Sequence, residues 1–403
     1  MKNDPSPTVI ADITAIAYGG DGVARLPDGM ICFVPGTIPP EKVKIRITCR
    51  RRNFCRGEVL EVIVPAPARI EPPCPHFAAK GKMHCPGCTA LMMDYPTELE
   101  WKSRQFSDFL LRRQLCSAEC IAPICPSPRR LGTRNKLKLH SAGNGKYGYI
   151  AADNRTVIPI KKCLLAQEEI NRYLAEHPMQ HPRGTTITLR AASDENVICF
   201  SGKKDDGNRL LTENLGSFGK FTVPAASFFQ TNSAVAEMLI KECVQHIAAA
   251  GCREMVELYC GTGIFSIAAA EHIPTLRCHG VEIDSAGIEC AGRNAEVHQV
   301  SDRCTFAAGD AACGISGAGS LNNKILLIDP PRTGVNPETL DGIIAADPAL
   351  LIYISCGPDT LQRDLVRVCA AGFTVQYARA FDMFPATGHF ESLVILSKKQ
   401  PGM

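Results

Sequence analysis

The stretch Leu351-Ile352-Tyr353-Ile354 reads as an apolar strand, and Ser355 and Cys356 follow it directly, ahead of Gly357 and Pro358. A thiol inside the strand would be a small hydrophobe. A thiol at a strand's carboxyl end, before a Gly-Pro turn, lies where open parallel sheets bind ligands. Cys356 is therefore placed for nucleophilic chemistry. Earlier in the chain a second apolar strand runs into Tyr259-Cys260-Gly261-Thr262-Gly263, a glycine turn that lets a ligand approach the main chain. The strand after it ends Val281-Glu282-Ile283-Asp284, and an acid there can accept both ribose hydroxyls of an adenosine. Neither a third glycine nor a phosphate-binding lysine accompanies Gly261 and Gly263, which argues against a dinucleotide or triphosphate and for S-adenosylmethionine. Asp329-Pro330-Pro331-Arg332 ends the next strand but one and faces the same crevice.

A separate group of thiols comprises Cys74, Cys85 and Cys88, with Cys163 as the natural fourth. Four thiolates suit an iron–sulfur cluster or zinc. The chain's 20 cysteines are spread over 403 residues, below the density of a disulfide scaffold. With no secretion signal or apolar run long enough for a membrane span, a cytoplasmic protein with reduced thiols is expected. The net charge of +3 announces no partner by itself. Its distribution does: Lys42, Lys44, Arg46, Arg50, Arg51, Arg52 and Arg56 occur without an intervening acid, and Arg129, Arg130, Arg134, Lys136 and Lys138 form a second cluster. Such patches are the electrostatic footprint of phosphate contact.

The elements that must position these residues change character along the chain. Residues 8–65 read as short strands separated by Gly and Pro, with Val43, Ile45 and Ile47 on one face and cations on the other, which predicts a small β-barrel. A Pro-rich stretch marks a boundary near residue 66. The spacing of Leu99, Phe106, Phe109 and Leu110 predicts a helix over 97–115 opening on a Thr cap, and residues 119–225 look mostly β. From about 233 helices and apolar strands alternate, as in a parallel, doubly wound sheet.

The set Ser227–Asn232, Glu257–Gly263, Val281–Asp284, Asp329–Arg332, Tyr353–Thr360 and Asp382–Ser392 resembles the RNA 5-methyluridine methyltransferase family. Residues 8–65 resemble the RNA-binding TRAM barrel that precedes this enzyme in one branch. The resemblance implies an α/β protein in three parts: an OB-like TRAM barrel (1–65), a mostly β central domain with the cysteine set (66–226), whose helix near 91–118 packs on the catalytic domain, and a Rossmann-like methyltransferase domain (227–403). It also implies a role for each motif. Carbon 5 of uracil is too weak a nucleophile to take a methyl group from a sulfonium, but thiolate addition at carbon 6 makes it an enolate that can. Cys356 would be that thiolate. Glu391 would remove the carbon-5 proton so that the thiolate can leave. Gln230 and Asp329 would line the uracil and cofactor pockets, Tyr259, Gly261, Gly263 and Glu282 would hold S-adenosylmethionine, and Asp310 would sit near its adenine. Ile264 stands where some members carry a polar cofactor contact.

Many members with the barrel hold a [4Fe-4S] cluster, which favours iron over zinc for Cys74, Cys85, Cys88 and Cys163, although the Cys74–Cys85 gap is longer than the family's. The expected substrate is one uridine of 23S ribosomal RNA, extruded from its stack, with transfer RNA as the alternative, no membrane contact and a monomeric state. Two other classes stay open: a cytosine-5 RNA methyltransferase, and a non-catalytic RNA-binding assembly factor.

Overall fold

Along Lys42–Arg50 the side chains of Val43, Ile45 and Ile47 are buried while those of Lys42, Lys44 and Arg46 are exposed, the two-residue period of a strand with one wet face. The structure is a computed structural model and describes residues 7–77, 84–151, 153–177, 180–193, 196–202 and 209–398. Strands β1 (Thr8–Ile16), β2 (Gly22–Arg25), β3 (Ile31–Val34), β4 (Lys42–Arg50) and β5 (Phe54–Val64) close into a barrel in the order β1-β2-β3-β5-β4. Ile13, Cys32, Val34, Val43 and Ile45 fill it. Its cations are not a free row. Lys42 pairs with Asp12 at 3.9 Å, Arg46 with Glu58 at 2.6 Å, Arg56 with Asp21 at 3.3 Å, and Arg50 with Asp28.

Helix α1 (Tyr95–Leu111) begins two residues before the expected start. Asp94 caps it, accepting from the Thr97 backbone N–H, with Pro96 in the first turn, so Thr97 is the capped residue and not the cap. The helix lies against the carboxyl-terminal part of the chain. Strand β6 (Ile121–Cys125) goes further and joins the large sheet of that part, pairing in parallel with the strand Phe373–Phe381. The central sheet is built from β7 (Lys136–Gly143), β8 (Lys146–Ile150), β9 (Val157–Pro159), β10 (Thr186–Ala191) and β11 (Val197–Phe200), in the order β11-β10-β7-β8-β9. Helix α2 (Glu168–Glu176) packs on it through Ile170. A hairpin of β12 (Leu210–Asn214) and β13 (Lys220–Pro224) leads on to the carboxyl-terminal half.

That half contains α3 (Ser233–Ala250), β14 (Glu254–Leu258), α4 (Ile264–His272), β15 (Arg277–Glu282), α5 (Ser285–Val297), β16 (Cys304–Ala308), α6 (Ala311–Ala318), β17 (Ile325–Ile328), α7 (Pro337–Ala346), β18 (Leu350–Ser355), α8 (Pro358–Ala370), β19 (Phe373–Phe381) and β20 (Glu391–Lys398). Its seven strands and β6 form one sheet in the order β16-β15-β14-β17-β18-β20-β19-β6. The first five run parallel, as the alternation predicts. β20 instead inserts antiparallel between β18 and β19. Two apolar clusters cover the two faces of this sheet, which is why β17 and β18 are almost uninterrupted apolar runs. No helix among the described residues is long and apolar enough to cross a membrane.

Candidate active site

Strand order turns scattered sequence motifs into one row. Reading across the carboxyl ends of the parallel strands, Asp310 follows β16, Glu282 ends β15, Tyr259 and Gly261 follow β14, Asp329 follows β17 and Cys356 follows β18. Because β20 is antiparallel, its first residue, Glu391, lies at the same edge. Ser355 pairs with Ser392, so one step outward on each strand sets Cys356 across from Glu391. From Glu282 to Cys356 is three interstrand steps of about 4.8 Å, about 14 Å in all, a span suited to a nucleoside at one end and a reacting base at the other.

At the β14 turn the backbone is unusual. Tyr259 has φ 64°, and Gly261 and Gly263 have φ 54° and 80°. A bulky residue in the left-handed region marks a conformation that its surroundings impose. A Cβ on Gly263 would come within 2.8 Å of the Phe306 ring. The turn presents the Gly261 N–H to Glu282 Oε2 at 3.1 Å, and the other carboxylate oxygen, Oε1, accepts from the Asp284 N–H at 2.9 Å. Glu282 is thereby fixed, half-buried, at the crevice. Asp310 caps α6 by accepting from the Ala312 N–H at 2.8 Å and is exposed. Gln230 is buried and donates through Nε2 to Asp329 Oδ2 at 3.3 Å. Ile264 is buried in the apolar core and offers no polar contact.

Three acidic groups share the other end of the row with one cation. Burial pushes the Cys356 thiol up to about 12, reinforced by Glu391 and Asp329, while the Arg332 guanidinium beside it pulls the other way. Burial, then Asp329, holds the Glu391 carboxyl well above the usual carboxylate range, again opposed by Arg332. Burial and then Glu282 push Asp329 up to about 7. Glu391 Oε1 is buried without a hydrogen-bond partner among the described residues, so it is available to a substrate.

The segment 382–390, which carries the chain into Glu391, hangs on a buried ionic network. Lys102 of α1, fully buried, donates to Glu98 Oε1 at 2.8 Å, Asp382 Oδ1 at 2.6 Å and the Phe384 carbonyl at 3.1 Å. Glu98 Oε1 also accepts from the Ala386 N–H at 2.6 Å, and Tyr95 donates to Asp382 Oδ2 at 2.7 Å. The sequence reading gave no role to Lys102, nor to Arg332, which stands inside a quoted motif. It also passed over Phe228 and Ile283, apolar yet 71% and 75% exposed. These two flank a hydrogen bond from Ser227 Oγ to Asp284 Oδ2 at 2.6 Å, beside Glu282, and their exposure is a signal that alternation in the sequence does not carry.

Cys74, Cys85, Cys88 and Cys163 line one cavity of about 30 Å³ together with Arg134 and Tyr149. Burial, opposed by Arg134 and reinforced by the other thiols, pushes Cys88 up to about 12. Tyr149 donates to Cys163 Sγ at 3.6 Å. Residues 78–83, in the long Cys74–Cys85 gap, lie outside the described residues. Among the described residues no three His, Cys, Asp or Glu side chains are grouped to hold a metal ion. Neither iron nor zinc is thus placed; what is present is a set of four thiols on one small cavity. Arg134 also lines a groove of about 880 Å³ on the central sheet, with Lys136, Lys138, Thr185, Thr186 and Thr188, which reaches Thr231 next to Gln230. Burial, then Arg190 and Lys138, lowers Lys136 to about 8.

Comparison with known proteins agrees with this architecture. The family described as tRNA (Uracil-5-)-methyltransferase matches residues 209–307 and 315–399, and the TRAM domain matches residues 8–60. An uncharacterized RNA methyltransferase of Geobacter sulfurreducens is 30% identical over 96% of this chain and 90% of its own length. Another, from Gloeobacter violaceus, is 27% identical over 97% of this chain and 96% of its own. The crystal structure of the Pyrococcus abyssi tRNA (uracil-54, C5)-methyltransferase in complex with S-adenosyl-L-homocysteine superposes with a TM-score of 0.72 at 20% identity, covering 96% of this chain and 100% of that one, so the fold is shared. The chain belongs to the RNA (uracil-5-)-methyltransferase family, with a TRAM domain at its amino-terminal end.

Proposed function

We propose that this enzyme methylates carbon 5 of one uridine in 23S ribosomal RNA, with Cys356 as nucleophile and Glu391 as base. The observation that carries the reading is the pairing of Ser355 with Ser392, which sets thiol and carboxyl across from each other at the ligand-binding edge. S-adenosylmethionine supplies the methyl group. Glu282 would hold its ribose, the glycine turn and Tyr259 its backbone, and Asp310, Ile283 and Phe228 would border its adenine. Gln230 and Asp329 would face the uracil.

Burial keeps the resting thiol protonated, so Cys356 releases its proton to bulk water as the base arrives, with Arg332 favouring the thiolate that remains. The thiolate adds to carbon 6 and the ring's electrons move onto the carbon-4 oxygen. Carbon 5 then takes the methyl group. Glu391 removes the carbon-5 proton, the double bond re-forms and the Cys356 thiolate is expelled. A raised carboxyl is a stronger base once ionised, which suits this last step. The cations of the central groove, without an ion pair among the described residues, would carry RNA phosphates toward the cleft, and Cys74, Cys85, Cys88 and Cys163 would hold a [4Fe-4S] cluster that ties the first three cysteines to Cys163.

Cys356→Ala is expected to abolish turnover while S-adenosylmethionine still binds. Glu391→Gln should methylate but remain covalently attached to RNA on denaturing gels. Residual turnover in the first, or no RNA-linked protein in the second, would remove the assigned role. Mapping 5-methyluridine in RNA from a strain lacking the gene tests the target: loss from 23S RNA is expected, and loss from transfer RNA alone would overturn that choice. Anaerobically purified protein should carry about four irons per chain; stoichiometric zinc without iron would exclude the cluster.

A further inference from the structure

One side chain reaches the cleft from the opposite end of the chain. Tyr18 lies in the turn after β1, in the barrel, and its hydroxyl is 3.2 Å from His389 Nδ1, two residues before Glu391. Its ring stands edge-on to Phe109 of α1 at 5.6 Å, to His389 at 5.8 Å and to Phe390 at 6.2 Å. Asp359, Arg332, Cys356 and Glu391 all act on the phenol electrostatically. The surrounding backbone leaves no slack. A Cβ on Gly388 would fall 2.6 Å from the Gly19 backbone, and the Thr89 and Ala90 N–H groups both donate to the Ala386 carbonyl, at 3.1 and 3.2 Å.

The protonation states fix the direction of the hydrogen bond. Burial, with Arg332, Lys102 and Arg134 nearby, lowers His389 to about 4, and burial pushes Tyr18 up to about 12. The phenol therefore donates and a neutral imidazole accepts at Nδ1, leaving its proton on Nε2. Glu391 Oε1, by contrast, has no hydrogen-bond partner among the described residues. With that oxygen unheld, the direction of the carboxyl depends on the backbone that leads into β20, and Tyr18 grips that backbone through His389.

We propose that Tyr18 is a positioning residue: through His389 it fixes the Gly388–Glu391 segment and so aims the Glu391 carboxylate at the carbon-5 proton, making turnover depend on a seated barrel. The proposal rests on Glu391 being the base. A barrel that only gripped RNA would affect substrate affinity; one that aims the base affects the elimination step.

The test compares Tyr18→Phe, His389→Ala, His389→Asn and Glu391→Gln in the full-length enzyme by kcat, KM for RNA, RNA-linked protein on denaturing gels and Tm. Tyr18→Phe keeps the ring contacts and should keep Tm and KM, lose about tenfold in kcat, and accumulate RNA-linked protein during turnover. His389→Ala should match it, the double variant should be no worse than either single one, and His389→Asn, which retains an acceptor, should lose less. Wild-type kcat in both Tyr18→Phe and His389→Ala, or a loss confined to KM, overturns the proposal. RNA-linked protein with Glu391→Gln but not with Tyr18→Phe overturns the proposal alone, whereas none with Glu391→Gln overturns the assignment of the base and the proposal with it.

Discussion

Cys356, Glu391 and Asp329 titrate in one shared volume with a single guanidinium, and the pH behaviour of the enzyme follows from that crowding. Both proposed reacting groups are raised and both act in their ionised form, so kcat/KM should climb with pH through the neutral and mildly alkaline range. Arg332→Gln removes the one opposing cation, and the rate profile should shift to higher pH; an unshifted profile would separate Arg332 from the chemistry. Burial at this end of the row also opposes stability. Burial, then Glu282, pushes Asp329 from its ordinary value of 3.8 up to about 7, so the folded chain binds its proton more tightly than the unfolded chain does. Stability on this account falls as pH rises from about 4 to about 7, and the cost is fully present above that. Asp329→Asn should therefore match the wild type near pH 4 and exceed it in Tm at pH 8, measured by thermal scans; equal Tm values at pH 8 would contradict a carboxyl raised by burial and Glu282.

Elements differ in how openly the sequence announces them. β4 is legible because Val43, Ile45 and Ile47 alternate with cations, and β18 because five apolar residues, Leu350 to Ile354, precede Ser355. Helix α6 is not: Ala311–Ala318 reads AACGISGA, small residues with no broad apolar stripe, held in place by packing and the Asp310 cap. β6, IAPIC, is short and contains a proline, and only its pairing with β19 makes it a strand of the catalytic sheet. The proposed site shows the same division. Cys356 and Glu391 stand out through local motifs, whereas Tyr18 and Lys102 matter through partners hundreds of residues away. For Lys102 burial sets the magnitude. Lys102→Ala leaves Glu98 and Asp382 short of a cation in the interior and should cost about 3–5 kcal/mol in urea unfolding, whereas Arg46→Ala, at a solvated pair, should cost under about 1 kcal/mol.

On the scale of the whole molecule, charge distribution divides the labour of holding RNA. At least four of the barrel's clustered cations already face carboxylates, so a phosphate there displaces a partner, whereas Lys136 and Lys138 in the central groove have no ion pair among the described residues. Replacing both lysines by Gln should lower the slope of log affinity against log salt by about 1.4–1.8, the effect of two lost phosphate contacts; an unchanged slope in salt titrations would move the RNA elsewhere. The position of β20 has a consequence for the order in which the chain is made. It is the last strand, yet it lies inside the sheet between β18 and β19, and it brings Glu391 to the crevice that the earlier strands have already formed. A ribosome needs on the order of 20–70 s to proceed from the barrel to β20, and throughout that interval the nascent chain can acquire a methyl-donor pocket but not a finished reaction centre. A chain truncated before residue 391 lacks β20 and is left with two open strand edges, one on β18 and one on β19, each a template for pairing with another chain.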